Sequence, residues 1–236
     1  MSVERAALVV KAAEARKYGR YEEMFASMVE AIRMDNHVVL EEMKLLSFAY
    51  KTLIALRRAR WRNLSVSEQR ATASGDVERA ETIGKDKAQI QNELLKICQE
   101  FDGVFGDALL RSVSSDECHM LYYKMRGNYH RFMAEFSLAG TCQASIDAAE
   151  QAYAHATKIA RGNFPPTHAI RLHVALNYST FCYEIRSDHD RAFDIAESAV
   201  EEAEAMMDKL PQEEYDESIF ILKLLKDQLN VWHSTF

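Results

Sequence analysis

Proline and glycine are scarce in this chain: 236 residues contain 3 Pro and 8 Gly, about 5% of positions where ~12% is usual. Collagen-like, low-complexity and disordered classes are thereby excluded, and few breaks mean long elements. Cysteine is sparse as well. Cys98, Cys118, Cys142 and Cys182 form no CxxC and no short regular spacing, so they read as free thiols in a reducing compartment, packed as small core hydrophobes. No apolar run reaches the ~18 residues of a membrane span. Glu4, Arg5, Lys11, Glu14, Arg16 and Lys17 recur along the N-terminus at helical spacing, which leaves no uncharged core of the kind a signal peptide needs. A cytoplasmic protein with nuclear access is the expectation.

Charge of one sign is not blocked anywhere. The chain carries 29 Lys+Arg and 36 Asp+Glu for a net charge of −7, interspersed along its length, so long-range attraction to nucleic acid or an anionic membrane is not expected. Signatures of enzymes are missing too: no GxSxG, no HExxH and no Gly-rich phosphate loop, and the eight His residues do not cluster in sequence. No catalytic residue, metal ligand or cofactor is assigned.

What is present is apolar mass, 48% of residues, in one period. Tyr21, Met24, Phe25, Met28, Val29 and Ile32 keep the i, i+3, i+4, i+7 spacing of a helix, and no segment alternates as a strand would. Breaks fall at Gly19, Met34 to Asn36, Thr72 to Gly75, Gly103 to Ser114, Ala139 to Thr141, Gly162 to Thr167, Ser187 to Asp190 and Leu210 to Glu214. They predict nine helices. Ser114 with Glu117 makes a capping box, Asp188 can cap the helix that follows it, and Gly162 with Asn163 suits a helix stop. No repeat of ~34 residues points to a solenoid. The expected architecture is one all-α domain of antiparallel neighbours over residues 1–236.

The third predicted helix, about Val38 to Glu68, is the informative one. At ~100° per residue, Leu46, Tyr50, Leu53, Ile54, Trp61 and Leu64 share one sector. Lys51, Arg58 and Arg62 line up just beyond its edge, because separations of seven and eleven residues return to nearly the same direction. Arg57 falls inside the apolar sector and is expected to pair with a buried carboxylate. Three further stripes border the predicted core: Lys124, Asn128, Arg131 and Glu135; His173, Asn177, Thr180 and Glu184; and Ile221, Leu224, Gln228, Val231 and Trp232. Four helices lining one groove, cationic on one wall and apolar on the other, would suit a dianionic phosphate held by charge-assisted hydrogen bonds.

The segments LLSFAYKTLIALRRARWR (45–62), YYKMRGNYHRFMAEF (122–136), PPTHAIRLHVALNYSTFCYEI (165–185) and LLKDQLNVW (224–232) resemble the signature segments of 14-3-3 proteins, in the same order and over essentially the whole chain. The resemblance implies nine antiparallel helices around an amphipathic groove. It also implies a signalling adaptor that recognises phosphoserine or phosphothreonine in extended peptides of client proteins. By motif position it makes Lys51, Arg58 and Arg131 the phosphate-binding cations. Arg62, Lys124, Phe132, His173, Leu176, Asn177, Thr180, Glu184, Leu224, Gln228, Val231 and Trp232 become groove positions.

Departures from the family pattern are informative. Phe132 stands where the family has a tyrosine that also donates to phosphate, so one donor is absent. Gln228 replaces a backbone-binding asparagine, Thr180 an apolar residue and His173 a glycine. At the family's dimer interface, Glu14, Tyr18, Arg60 and Ser67 stand at small or apolar positions, and Asp86 and Gln89 replace a tyrosine and a lysine. Leu64 remains apolar, and Arg20 with Glu93 persists as a cross-subunit pair. The expectation is a weak or rearranged homodimer, or a heterodimer with another member. Two rival functions stand beside the phosphopeptide reading. One is a phosphate-independent scaffold for acidic or amphipathic peptides; the other is nucleic-acid binding through Arg57, Arg58, Arg60 and Arg62 around Trp61, which the helical wheel and the net charge disfavour.

Overall fold

In the computed structural model, residues 2–35, 37–104, 106–113, 115–136 and 142–235 are described, and among them are ten α-helices and no strand. They are α1 (Val3–Lys17), α2 (Tyr21–Met34), α3 (Leu40–Ala73), α4 (Val77–Val104), α5 (Asp107–Ser112), α6 (Asp116–Phe136), α7 (Cys142–Asn163), α8 (Ala169–Phe181), α9 (His189–Met207) and α10 (Gln212–His233). The count corrects the expected nine. The additional helix is α5, six residues long, which lies within the break predicted at Gly103 to Ser114 and is too short to show a period. The Ser114 capping box falls on a residue outside those described; at this start Ser115 Oγ accepts from the Cys118 amide at 3.1 Å. Asp188 caps α9 as expected, accepting from Arg191 N.

Glycine ends α1 and α3 for a definite reason. Gly19 (φ 67°) and Gly75 (φ 76°) are left-handed, a conformation that costs other residues ~1–2 kcal/mol. At the first, Gly19 N donates to Arg16 O (3.3 Å) and Arg20 N to Ala15 O (2.9 Å). At the second, Gly75 N donates to Thr72 O (3.1 Å) and Asp76 N to Ala71 O (3.0 Å). Both are Schellman closures. The second lets α3 run to Ala73, five residues beyond the boundary expected from its apolar stripe.

The chain divides into two compact units, Met1–Val113 and Ser114–Phe236. In the first, α2 packs on α1, α3 and α4, burying Met24, Met28, Met43, Leu46, Leu53 and Ile54, each 0–1% exposed and each worth ~1.5–3 kcal/mol relative to exposure. Tyr50 stacks on Phe101 at 4.2 Å. Arg5, 2% exposed, is the polar anchor: its guanidinium grips Glu42 through two bonds of 2.8 and 2.7 Å and also donates to Asp35 O and His37 O. Every polar atom in that pair has work to do, which is the condition under which a buried ion pair is tolerated.

In the second unit α8 is central, touching α6, α7, α9 and α10. Its core joins Tyr153 of α7, Tyr178 and Phe181 of α8, and Ile221 and Leu225 of α10. Gly127 makes the packing of α6 on α7 possible, since a Cβ there would lie 2.6 Å from Tyr153 Cε1. Cys98, Cys118 and Cys182 are free and buried, in line with the sequence reading; the Cys142 side chain lies outside those described.

Candidate functional site

In the first unit a cationic line runs along α3. Lys51 and Arg62 are exposed and Arg58 is half-buried, three cations along one edge of a helix whose other side carries Leu46, Tyr50, Leu53 and Ile54 into the core. Arg57 is paired, as expected, but not with a buried group. It donates to Glu22 at 3.0 Å and lies 3.4 Å from Glu93, side chains that are largely or partly exposed. Its long aliphatic stem carries the guanidinium out of the apolar sector to the surface carboxylates of α2 and α4.

In the second unit α8 packs against both α6 and α10. Lys124 and Arg131 of α6 are 8% and 7% exposed, which is far from a solvated polar stripe. Arg131 lies over the Phe132 ring at 4.7 Å and 3.5 Å from Glu184, while its Nε is buried with no hydrogen-bond partner among the described residues. A buried guanidinium with an unused donor is a costly group unless something completes it. Asn128, placed in the same stripe by the sequence, is committed to structure: it accepts the Tyr153 hydroxyl at 2.7 Å.

Glu184 owes its place to a change of helical pitch. After Phe181 the chain widens into a π-helical turn, Cys182–Arg186, which ends at left-handed Ser187 (φ 55°). Two hydroxyls precede it, Ser179 Oγ and Thr180 Oγ1, both donating back to Leu176 O at 3.1 and 2.7 Å. Such back-bonding loosens a helix, and π turns often mark functional sites. Gln228 of α10 meets Thr180, with Nε2 3.0 Å from Oγ1. His173, Leu176 and Asn177 are half-buried on α8.

On α10 the stripe residues differ in exposure. Ile221 is wholly buried, and Trp232, 6% exposed, lies parallel to Tyr183 at 4.4 Å with Phe193 edge-on at 5.7 Å. The exposed apolar positions are Leu224, Val231 and Phe220, the last 60% exposed. Phe220 was missed, although its place four residues before Leu224 puts it on the same face. Also unforeseen is a polar cluster that joins α7, α8 and α9: Tyr178 donates to Glu150 at 2.5 Å, and Arg191 donates to both. Burial, and then Glu150, hold the Tyr178 phenol well above its ordinary range.

Residues assigned to a dimer interface are placed by α1, α3 and α4. Glu14, Tyr18, Arg60 and Asp86 are exposed or nearly so, and Leu64 and Ser67 half-buried. Within the single chain Arg20 already pairs with Glu23 at 2.8 Å, while Glu93 accepts from Gln89 at 3.4 Å and faces Arg57.

Comparison with known proteins agrees with the motifs. The family model described as 14-3-3 protein matches residues 11–233. The chain is similar to a "14-3-3 protein homolog" of Trichoderma harzianum, 39% identical over 100% of this chain and 89% of that protein. It is likewise similar to "14-3-3 protein epsilon" of Drosophila melanogaster, 40% identical over 98% and 88%. A third relative is the "Checkpoint signal transducer rad24" of Schizosaccharomyces pombe, 40% identical over 99% and 86%.

Proposed function

The chain belongs to the 14-3-3 family, and from that premise we propose that it is an adaptor, not an enzyme, that binds client proteins through phosphoserine or phosphothreonine peptides. Lys51, Arg58 and Arg131 are the residues assigned to the phosphate, each by its match to the family motif. The observation that carries the reading is Arg131. The residue is 7% exposed, its Nε has no hydrogen-bond partner among the described residues, and the carboxylate beside it, Glu184, stands off at 3.5 Å. A phosphate dianion offers more acceptor oxygens at shorter range than that carboxylate supplies. Phe132 removes one donor, so the phosphate itself is held by the cations without a phenol hydroxyl.

The test is a titration of a fluorescent Arg-x-x-phosphoSer-x-Pro peptide and its unphosphorylated twin, with Arg131→Ala as control. Binding of the phosphorylated peptide only, lost in the variant, is the expected result. Equal binding of both peptides would instead favour a phosphate-independent scaffold, the second reading, which Phe132 motivates. Self-association belongs to the proposal as well. Arg20 and Glu93 have partners within their own chain, so a cross-subunit bridge exchanges one exposed pair for another and gains little. A weak or rearranged homodimer, or a heterodimer with another family member, follows, and sedimentation at micromolar concentration showing monomer alone would reject the homodimer.

A further inference from the structure

We infer that Thr180 is a positioning residue for the peptide site: its hydroxyl holds the Gln228 amide against α8, so that Gln228 meets the ligand pre-oriented. The inference rests on the peptide-binding reading above.

Proton bookkeeping fixes the orientation. A threonine hydroxyl has one hydrogen, and at 2.7 Å from Leu176 O that hydrogen is used within α8. Towards Gln228 the oxygen can therefore only accept. Gln228 Nε2 lies 3.0 Å away and Oε1 3.3 Å away, and of the two atoms only the nitrogen carries a hydrogen. The result is a directed relay from the Gln228 N–H through the Thr180 hydroxyl to the Leu176 carbonyl. It occupies one of the two amide hydrogens. The other N–H and both lone pairs of Oε1 stay available to a ligand.

The relay answers a problem created by the side chain itself. Glutamine has one more rotatable bond than asparagine and loses more freedom when it is held. A residue that must hydrogen-bond an extended peptide backbone therefore weakens binding unless its amide is already oriented. Thr180 supplies that restraint from the neighbouring helix, and Leu224, one turn before Gln228 on α10, is exposed. Thr180 and Gln228 thus act as one unit. A valine at 180 would keep the shape and lose the acceptor.

The experiment is a double-mutant cycle on the full chain with the phosphorylated peptide, using Thr180→Val, Gln228→Ala and both together, alongside Thr180→Ser. A net hydrogen bond corresponds to a change of about two- to ten-fold. Thr180→Val is expected to weaken binding by about three- to ten-fold, and to have no further effect once Gln228→Ala is in place. Thr180→Ser, which retains the hydroxyl, is expected to restore wild-type binding. In the peptide-free protein, the Gln228 side-chain amide should show an ordered NMR signal that becomes mobile in Thr180→Val and not in Thr180→Ser.

Multiplicative effects of the two single changes would overturn the inference, as would a serine variant that behaves like valine. An equally ordered Gln228 amide in Thr180→Val would do the same. A wild-type protein that binds neither peptide would overturn the underlying reading, and the positioning of a ligand with it. That outcome is distinguishable, because it is seen before any variant is made.

Discussion

Replacing a helical glycine by alanine ordinarily stabilises a protein by ~0.5–1 kcal/mol, through the unfolded chain's lost freedom and better helix propensity. Gly127 is expected to do the opposite. A Cβ built there lies 2.6, 2.7 and 2.9 Å from three atoms of the Tyr153 ring, where carbon atoms in contact keep ~3.5–4.0 Å. The ring cannot swing aside cheaply. It is fully buried, stacked 5.4 Å from Tyr178 and tilted 5.5 Å from Phe181, and its hydroxyl donates to Asn128. Moving α6 from α7 by close to ~1 Å is the alternative, and overpacking of this kind costs ~1–3 kcal/mol. Set against the propensity gain, Gly127→Ala should lose about 1–2 kcal/mol. Gly162, on α7 with nothing within 4 Å of its added Cβ, is the matched control and should gain ~0.5–1 kcal/mol. Urea unfolding followed by circular dichroism compares the two directly. A Gly127→Ala protein as stable as Gly162→Ala would refute the packing argument. Because Arg131 follows Gly127 by one turn of α6, the variant should also bind phosphopeptide less well.

Two further outcomes follow from groups outside the candidate site. Arg5→Ala leaves Glu42 buried and unpaired, and should cost ~3–5 kcal/mol in urea unfolding; replacing the pair together by Met and Leu should recover most of that loss. Burial pushes the Cys98 thiol up to about 11 and the Cys182 thiol up to about 12, from an ordinary 9. The unfolded chain therefore ionises first, and the stability these thiols contribute is present below pH 9 and lost as pH rises through 11 and 12. Unfolding midpoints should fall across that window, less steeply in a Cys98→Ala, Cys182→Ala protein.

Much of the fold was legible because long helices repeat their signal. The stripe Leu46, Tyr50, Leu53, Ile54 placed the core face of α3, and the glycines at 19 and 75 marked real left-handed stops. What was not legible depends on fewer residues or on tertiary partners. Six residues of α5 span under two turns and show no period. The π turn after Phe181 leaves no period in the sequence, and Arg57 reaches surface carboxylates because its long stem lets the charge leave the apolar sector. Within the candidate site, the sequence placed Arg131, Thr180 and Gln228 on stripes bordering the core, and they are buried or half-buried, yet it could not show that Glu184 faces Arg131 or that Thr180 faces Gln228. Those pairings join different elements, and a helical wheel treats one helix at a time.

The stacked rings around Trp232 have a practical optical consequence. The chain has two tryptophans, Trp61 in the first unit and Trp232 in the second. Trp61 is half-buried with the Lys87 ammonium 5.6 Å from its ring centre. Trp232 is shielded from water and lies within 3° of parallel to Tyr183, the neighbour of Glu184. Intrinsic emission therefore carries two environments, and Trp61→Phe leaves a chain whose remaining indole reports on the packing of α10 against the π turn and α9. A ligand that draws Glu184 away from Arg131 is expected to disturb that stack, and the check is a change in ultraviolet fluorescence on adding phosphopeptide, with no label on either molecule.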